Sequence, residues 1–290
     1  MYQRRAIPLT VLLVGALVPT LSTAANVTWT GGVGEWNAPL RWSGALVPGP
    51  ADSAFVTNAG IVEHLSVIAG ASVNAFTLSD GGLTPIADTV TVQNGATFTL
   101  GGGGMLNDGT FKLNSNGANT ALHLQGAQIA AGRGAIVMGD RTTNRITTNN
   151  TVFTNGNGFG HSIRGAGQVL ANTGGLINHS GSSIIANGVN ALIIDPNGLG
   201  VTNEGTLSAQ GSGGLNLING VFTNETLSST GLIEAQNASH VNITNATIIG
   251  GNVNSSGTGV INPVSATFDG VTVNGTANHA NGTTNTIKNG

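Results

Sequence analysis

Residues 201–263 read VTNEGTLSAQ GSGGLNLING VFTNETLSST GLIEAQNASH VNITNATIIG GNVNSSGTGV INP, and one short phrase recurs in and just beyond them. It is NEGTLSAQGS at 203–212, STGLIEAQNAS at 229–239 and GTGVINPVSA at 257–266. The glycines that open the three copies, Gly205, Gly231 and Gly259, lie 26 and 28 residues apart. Further apolar pairs follow the first two copies: Leu215 and Leu217 with Val221, then Val241 and Ile243 with Ile248 and Ile249. Three short apolar segments per period of about 26, parted by Gly, Asn, Ser and Thr, indicate a stacked solenoid in which each coil supplies three strands. One coil has nothing to bury its apolar face against, so the stack itself is the stable unit.

Composition agrees. The 290 residues include 46 glycines, 39% are hydrophobic and only 7% are charged. Such a chain would be disordered if its apolar residues were scattered, but they alternate as in half-buried strands: Val90 and Val92, Phe98 and Leu100, Phe111 and Leu113, Leu122 and Leu124. Inward positions are expected at these eight and at Ile136, Leu207, Leu215, Leu217, Ile233, Val241, Ile243 and Val260. Helix is not expected, because glycine at this density costs a helix about 1 kcal/mol per occurrence. There is no cysteine, which excludes a disulfide framework and a thiolate metal site.

Residues 1–25, MYQRRAIPLTVLLVGALVPTLSTAA, combine Arg4 and Arg5, an apolar run broken by Pro8 and Gly15, and small residues at Ser22, Ala24 and Ala25. They read as a secretory signal peptide; a membrane anchor needs about 20 apolar residues. Removing them takes the net charge from −3 to −5. The remaining cations are too few and dispersed for a nucleic-acid surface.

Residues 26–59 hold all three tryptophans, Trp29, Trp36 and Trp42. The open end of a β-helix exposes apolar side chains and strand edges, so this segment is expected to be an N-terminal cap. Residues 60–290 are then the coils, roughly ten of them, about 45 to 50 Å long at the spacing of stacked strands. The polar run DRTTNRITTNN at 140–150 is expected to be a loop or an insertion.

The stretch TWTGGVGEWNAPLRWSGALVPGPADSAFV, followed by SVIAGASVNAFTLSDGG and TVTVQNGATFTLGGG, resembles the beginning of bacterial autotransporter passengers and related β-helical surface proteins. The resemblance implies an all-β, single-stranded, right-handed parallel β-helix, displayed on or released from Gram-negative cells, many such proteins being adhesins. It also implies a translocator barrel or sorting tail, which residues up to Gly290 do not contain, so the coils are expected to be cut short. The exposed C-terminal face would then be prone to self-association.

Parallel β-helices also carry polysaccharide lyases and glycoside hydrolases, which need clustered or paired carboxylates. The acids nearest to one-coil spacing are Glu204 with Glu234 and Asp80 with Asp108, and the Asp residues sit in turn-like contexts where they bond backbone N–H groups. The six histidines show no ligand spacing, the glycine tracts precede no calcium-binding aspartate, and no nucleophile elbow occurs. No catalytic residue, cofactor or metal is expected. Asparagine is the informative polar residue: Asn178, Asn203 and Asn237 are expected to stack their amides along the rod. The Asn-x-Ser/Thr triplets, Asn224 among them, read as chance matches. The expected function is a non-catalytic secreted or cell-surface protein whose partners are glycans or proteins.

Overall fold

An inward apolar residue, an outward residue and a second inward one make a strand too short to persist alone, and stacking on the next coil supplies its hydrogen bonds and its buried face. In the computed structural model, which describes residues 23–82 and 85–289, these segments line up in three sheets of twelve, eleven and nine strands. Sheet neighbours belong to successive coils and pair in parallel, giving a β-solenoid of about ten turns. The described helix amounts to two 3-10 turns, Pro39–Arg41 and Ser43–Ala45. The signal peptide expected at residues 1–25 lies, but for its last three residues, outside the described residues. Among those residues no helix is long and apolar enough to cross a membrane.

Coil length varies. The register steps 26 residues from Leu207 to Ile233, 20 from Ile233 to Val253, and 31 from Gly34 to Leu65. This corrects the phasing of the third repeated phrase. Gly205 and Gly231 precede Thr206–Ala209 and Leu232–Ala235 of the eleven-stranded sheet, whereas Gly259 precedes Val260–Val264 of the nine-stranded one. The counterpart of Gly231 is Gly251, ahead of Asn252–Ser255. All three faces use the same glycine-plus-alternation grammar, so similar wording does not identify the face.

The expected inward residues are buried, with one correction. Val260 is half-buried on the outer surface, and Ile261, opposite Val241, takes the inward place. The run at 140–150 is likewise no insertion, because Asn144–Thr148 is a strand paired with Thr120–Leu124. Its inward Asn144 and Thr148 are satisfied where they stand. Asn144 accepts from the Ser115 N–H at 3.1 Å and donates to the Gly139 carbonyl at 2.6 Å, and Thr148 donates to the Thr173 carbonyl at 2.8 Å.

At the N-terminal end the indoles form the first layer of an aromatic column. Trp36 packs edge-on against Trp42 at 4.8 Å and Phe98 at 5.2 Å, and Phe98 continues to Phe111 at 5.1 Å. Ser53–Val56 pairs both with Asn26–Thr28 and with Ala75–Leu78, so this end is continuous with the coils. At the other end, Thr272–Asn274 and Thr286–Lys288 are exposed throughout. Beside them Ile261, Pro263, Phe268, Val271 and Val273 line an open apolar groove of about 660 Å³.

Candidate functional site

A column of asparagines enters the interior at the corner where the chain leaves the twelve-stranded sheet for the eleven-stranded one. Asn155, Asn178 and Asn203 end the strands Val152–Asn155, Gly175–Asn178 and Val201–Asn203, and Asn224 follows Val221–Thr223. All four are fully buried. A buried amide without partners costs about 1–3 kcal/mol per unmade group, and stacking removes that cost. The Asn155 Nδ2 donates to Asn178 Oδ1 at 2.8 Å, Asn178 Nδ2 to Asn203 Oδ1 at 2.8 Å, and Asn203 Nδ2 to Asn224 Oδ1 at 2.6 Å. Each Nδ2 also donates to a carbonyl further round the rod, those of Ser183, Thr206, Leu232 and Asn252. The inward amides explain the glycines that follow. A Cβ on Gly231 would collide with the Asn203 carbonyl and press on the Asn203 and Asn224 amides.

Asn178 and Asn203 therefore stack as expected, and Asn237 does not. It follows a strand of the eleven-stranded sheet, lies exposed on a turn, and accepts from the Thr258 N–H at 3.1 Å. Its corner differs from that of the ladder. The buried Asn224 heads an Asn-x-Ser/Thr triplet that no glycosylation enzyme reaches in the folded protein.

Two members of the column have no counterpart among the expected residues. The strand Gln128–Ala131 places Ala130 opposite Asn155, leaving no amide there. The fully buried His161 bridges the gap, its Nδ1 2.7 Å from Asn155 Oδ1 and its Nε2 3.1 Å from Asn107 Nδ2. Burial lowers its pKa to about 4, against a smaller opposing pull from Asp108.

In the first coils the same corner carries carboxylates. Glu63 and Asp88 precede His64–Val67 and Thr89–Gln93, which pair with His64 opposite Thr89, so the two acids stack. Asp88 Oδ1 accepts from the Glu63 N–H at 2.8 Å, and Glu63 Oε1 accepts from Asn58 Nδ2 at 2.8 Å. Glu63 Oε2, Asp88 Oδ2 and the Asp80 Oδ1 beside them are buried without a hydrogen-bond partner. Burial pushes both the Glu63 and Asp88 carboxyls above the ordinary carboxylate range. Nearby acids add to this, Asp88 and Asp80 acting on Glu63 and Asp80 on Asp88, while Asn58 pulls Glu63 back. A raised folded pKa means stability that is present at low pH and lost as pH rises through it. Glu63→Gln, which imitates the neutral acid, is accordingly expected to melt higher than the native protein at pH 8 and to approach it as the pH falls to 4. Parallel melting curves across that range would count against the assignment.

Of the acids at one-coil spacing, Glu204 and Glu234 do not stand opposite each other. Glu234 lies opposite Ser208, four residues beyond Glu204, and accepts from Ser208 at 3.0 Å and Gln236 at 2.6 Å. Glu204 instead faces Thr226 at 3.4 Å. Asp108 accepts from the Ser79 hydroxyl at 2.5 Å and the Arg133 N–H at 2.9 Å, so its bonds tie three coils together. Among the described residues no three His, Asp or Glu side chains gather as metal ligands.

The outer faces carry rows of their own. On the nine-stranded sheet Asn242 donates to Asn216 at 2.7 Å and Asn262 to Asn242 at 2.9 Å. Compared with known proteins, the chain matches no family, no curated sequence and no solved structure, and the class that stands on the geometry is the parallel β-solenoid.

Proposed function

We propose that this is a non-catalytic protein of the cell exterior, secreted or held on the outer surface of a Gram-negative cell, and adhesin-like or architectural in the manner of autotransporter passengers. The observation that carries the reading is the outward row on the eleven-stranded sheet. Ser66, Thr91, Lys112, Val137, Arg164 and Ile185 stand in register on successive coils, and beyond the buried Ser208 the row continues with Glu234, Asn254 and Asn274. Strand stacking repeats a side chain about every 4.8 Å along such a row. That suits many shallow contacts with an extended glycan or protein better than enclosure of one scissile bond.

The test pairs two measurements on the purified chain: retention on immobilised glycans and cell surfaces, and product release from pectin, alginate and related acidic polysaccharides. Retention without cleavage is expected. Release of unsaturated or reducing ends, abolished by substituting Glu204, Glu234, Asp80 or Asp108, would replace this reading with a polysaccharide-cleaving one. Self-association through the apolar groove at the C-terminal end belongs to the same reading. Sedimentation is expected to show dimers that dissociate on Phe268→Asp; a strict monomer across a concentration series would remove it.

A further inference from the structure

At His161 a titratable ring carries the chain of hydrogen bonds between Asn107 and the amide ladder, and the direction of that chain determines its state. Asn155 uses its Nδ2 to donate to Asn178 and Ser183, so Oδ1 is the atom that faces His161 Nδ1. Nδ1 therefore holds the proton, and Nε2 is left to accept from Asn107 Nδ2 at 3.1 Å. Asn107 Oδ1, meanwhile, is buried with no partner. The imidazole is neutral and matched to its neighbours in that one form.

A second proton would turn Nε2 into a donor aimed at a donor. The mismatch is relieved if the Asn107 amide reverses and presents its unsatisfied oxygen. The charge would still be enclosed, and the charged group acting on the ring is Asp108, already engaged by Ser79 and the Arg133 N–H. Its neighbours Asn155, Gly156 and the Ser183 backbone carry no charge.

We infer that His161 is an acid-responsive joint: proton uptake on Nε2, coupled to reversal of the Asn107 amide, uncouples the coils up to Asn107 from the amide ladder that begins at Asn155. The joint spans the coil of Gln128–Ala131, where Ala130 supplies no amide to hold the column in its place. It works whether the outer faces bind a partner or not.

The sign follows from the buried, neutral ring. An unfolded histidine takes up its proton near pH 6.5, and His161 resists doing so until about pH 4, so stability is intact above 6.5 and falls as pH drops between the two. From pH 7 to pH 4 the unfolding equilibrium constant should rise roughly a hundredfold more in the native protein than in His161→Gln. Urea titrations followed by circular dichroism measure that difference. Asn107→Asp, which offers Nε2–H an acceptor, should remove the acid loss, and Asn107 side-chain amide signals in NMR should shift with the His161 ring as it titrates. Should the variants fail to fold, titration of the native ring decides alone. A midpoint near 4 with coupled Asn107 shifts supports the joint. A midpoint near 6.5 with Asn107 unmoved, or a His161→Gln profile parallel to the native one, overturns it.

Discussion

Asn178→Ala is expected to lower the unfolding free energy by about 3–6 kcal/mol, because it leaves two or three buried polar groups without partners at about 1–3 kcal/mol each. The groups are Asn203 Oδ1, the Thr206 carbonyl and one hydrogen of the Asn155 amide. Asn237→Ala is the matched control, since its side chain is exposed and holds only turn contacts, and it should cost about 1 kcal/mol or less. Urea midpoints for the two variants check the prediction, which fails if they are equal.

Trp36→Ala should be nearly as damaging, at about 3–5 kcal/mol for removing a large buried aromatic. Trp36 is 2% exposed and lies between Trp42 and the first phenylalanines of the column. Its loss uncovers Phe76 and Phe98 and takes away the neighbour of the Trp42 ring, whose Nε1 donates to the Trp36 carbonyl at 2.6 Å. Amide exchange should quicken first at Asn26–Thr28 and Ser53–Val56, while the strands around Leu207 and Ile233 keep native protection. Uniform protection along the whole rod would show that the indoles do not hold its end.

The core was legible wherever one face of a segment is apolar and the other is not. Val90 with Val92 and Leu215 with Leu217 have Thr or Asn between them, so the inward set is decided by alternation alone. Val260-Ile261-Asn262-Pro263-Val264 offers two acceptable faces, and only pairing with Val241 and Ile243 selects Ile261 and Pro263. The same ambiguity hid Phe222 behind Val221. Asn178 and Asn203 were legible as stacking residues, but Asn237 has the same chemistry and a different corner, and composition does not distinguish corners. His161 was not legible at all. Its partner Asn107 is 54 residues away, and the vacancy it fills exists because of Ala130. Glu63 and Asp88 are brought together by the register of the strands that follow them, a relation between coils of unequal length.

The tryptophan cluster also determines what the molecule reports optically. All three indoles sit in the first coil, and the single tyrosine is Tyr2, outside the described residues. Intrinsic fluorescence is therefore a local probe of one tip, while circular dichroism averages every rung. A stack whose coils touch only their neighbours is free to melt from either end. Emission that changes before ellipticity identifies the tryptophan end as the one that opens first, and the reverse order identifies the other.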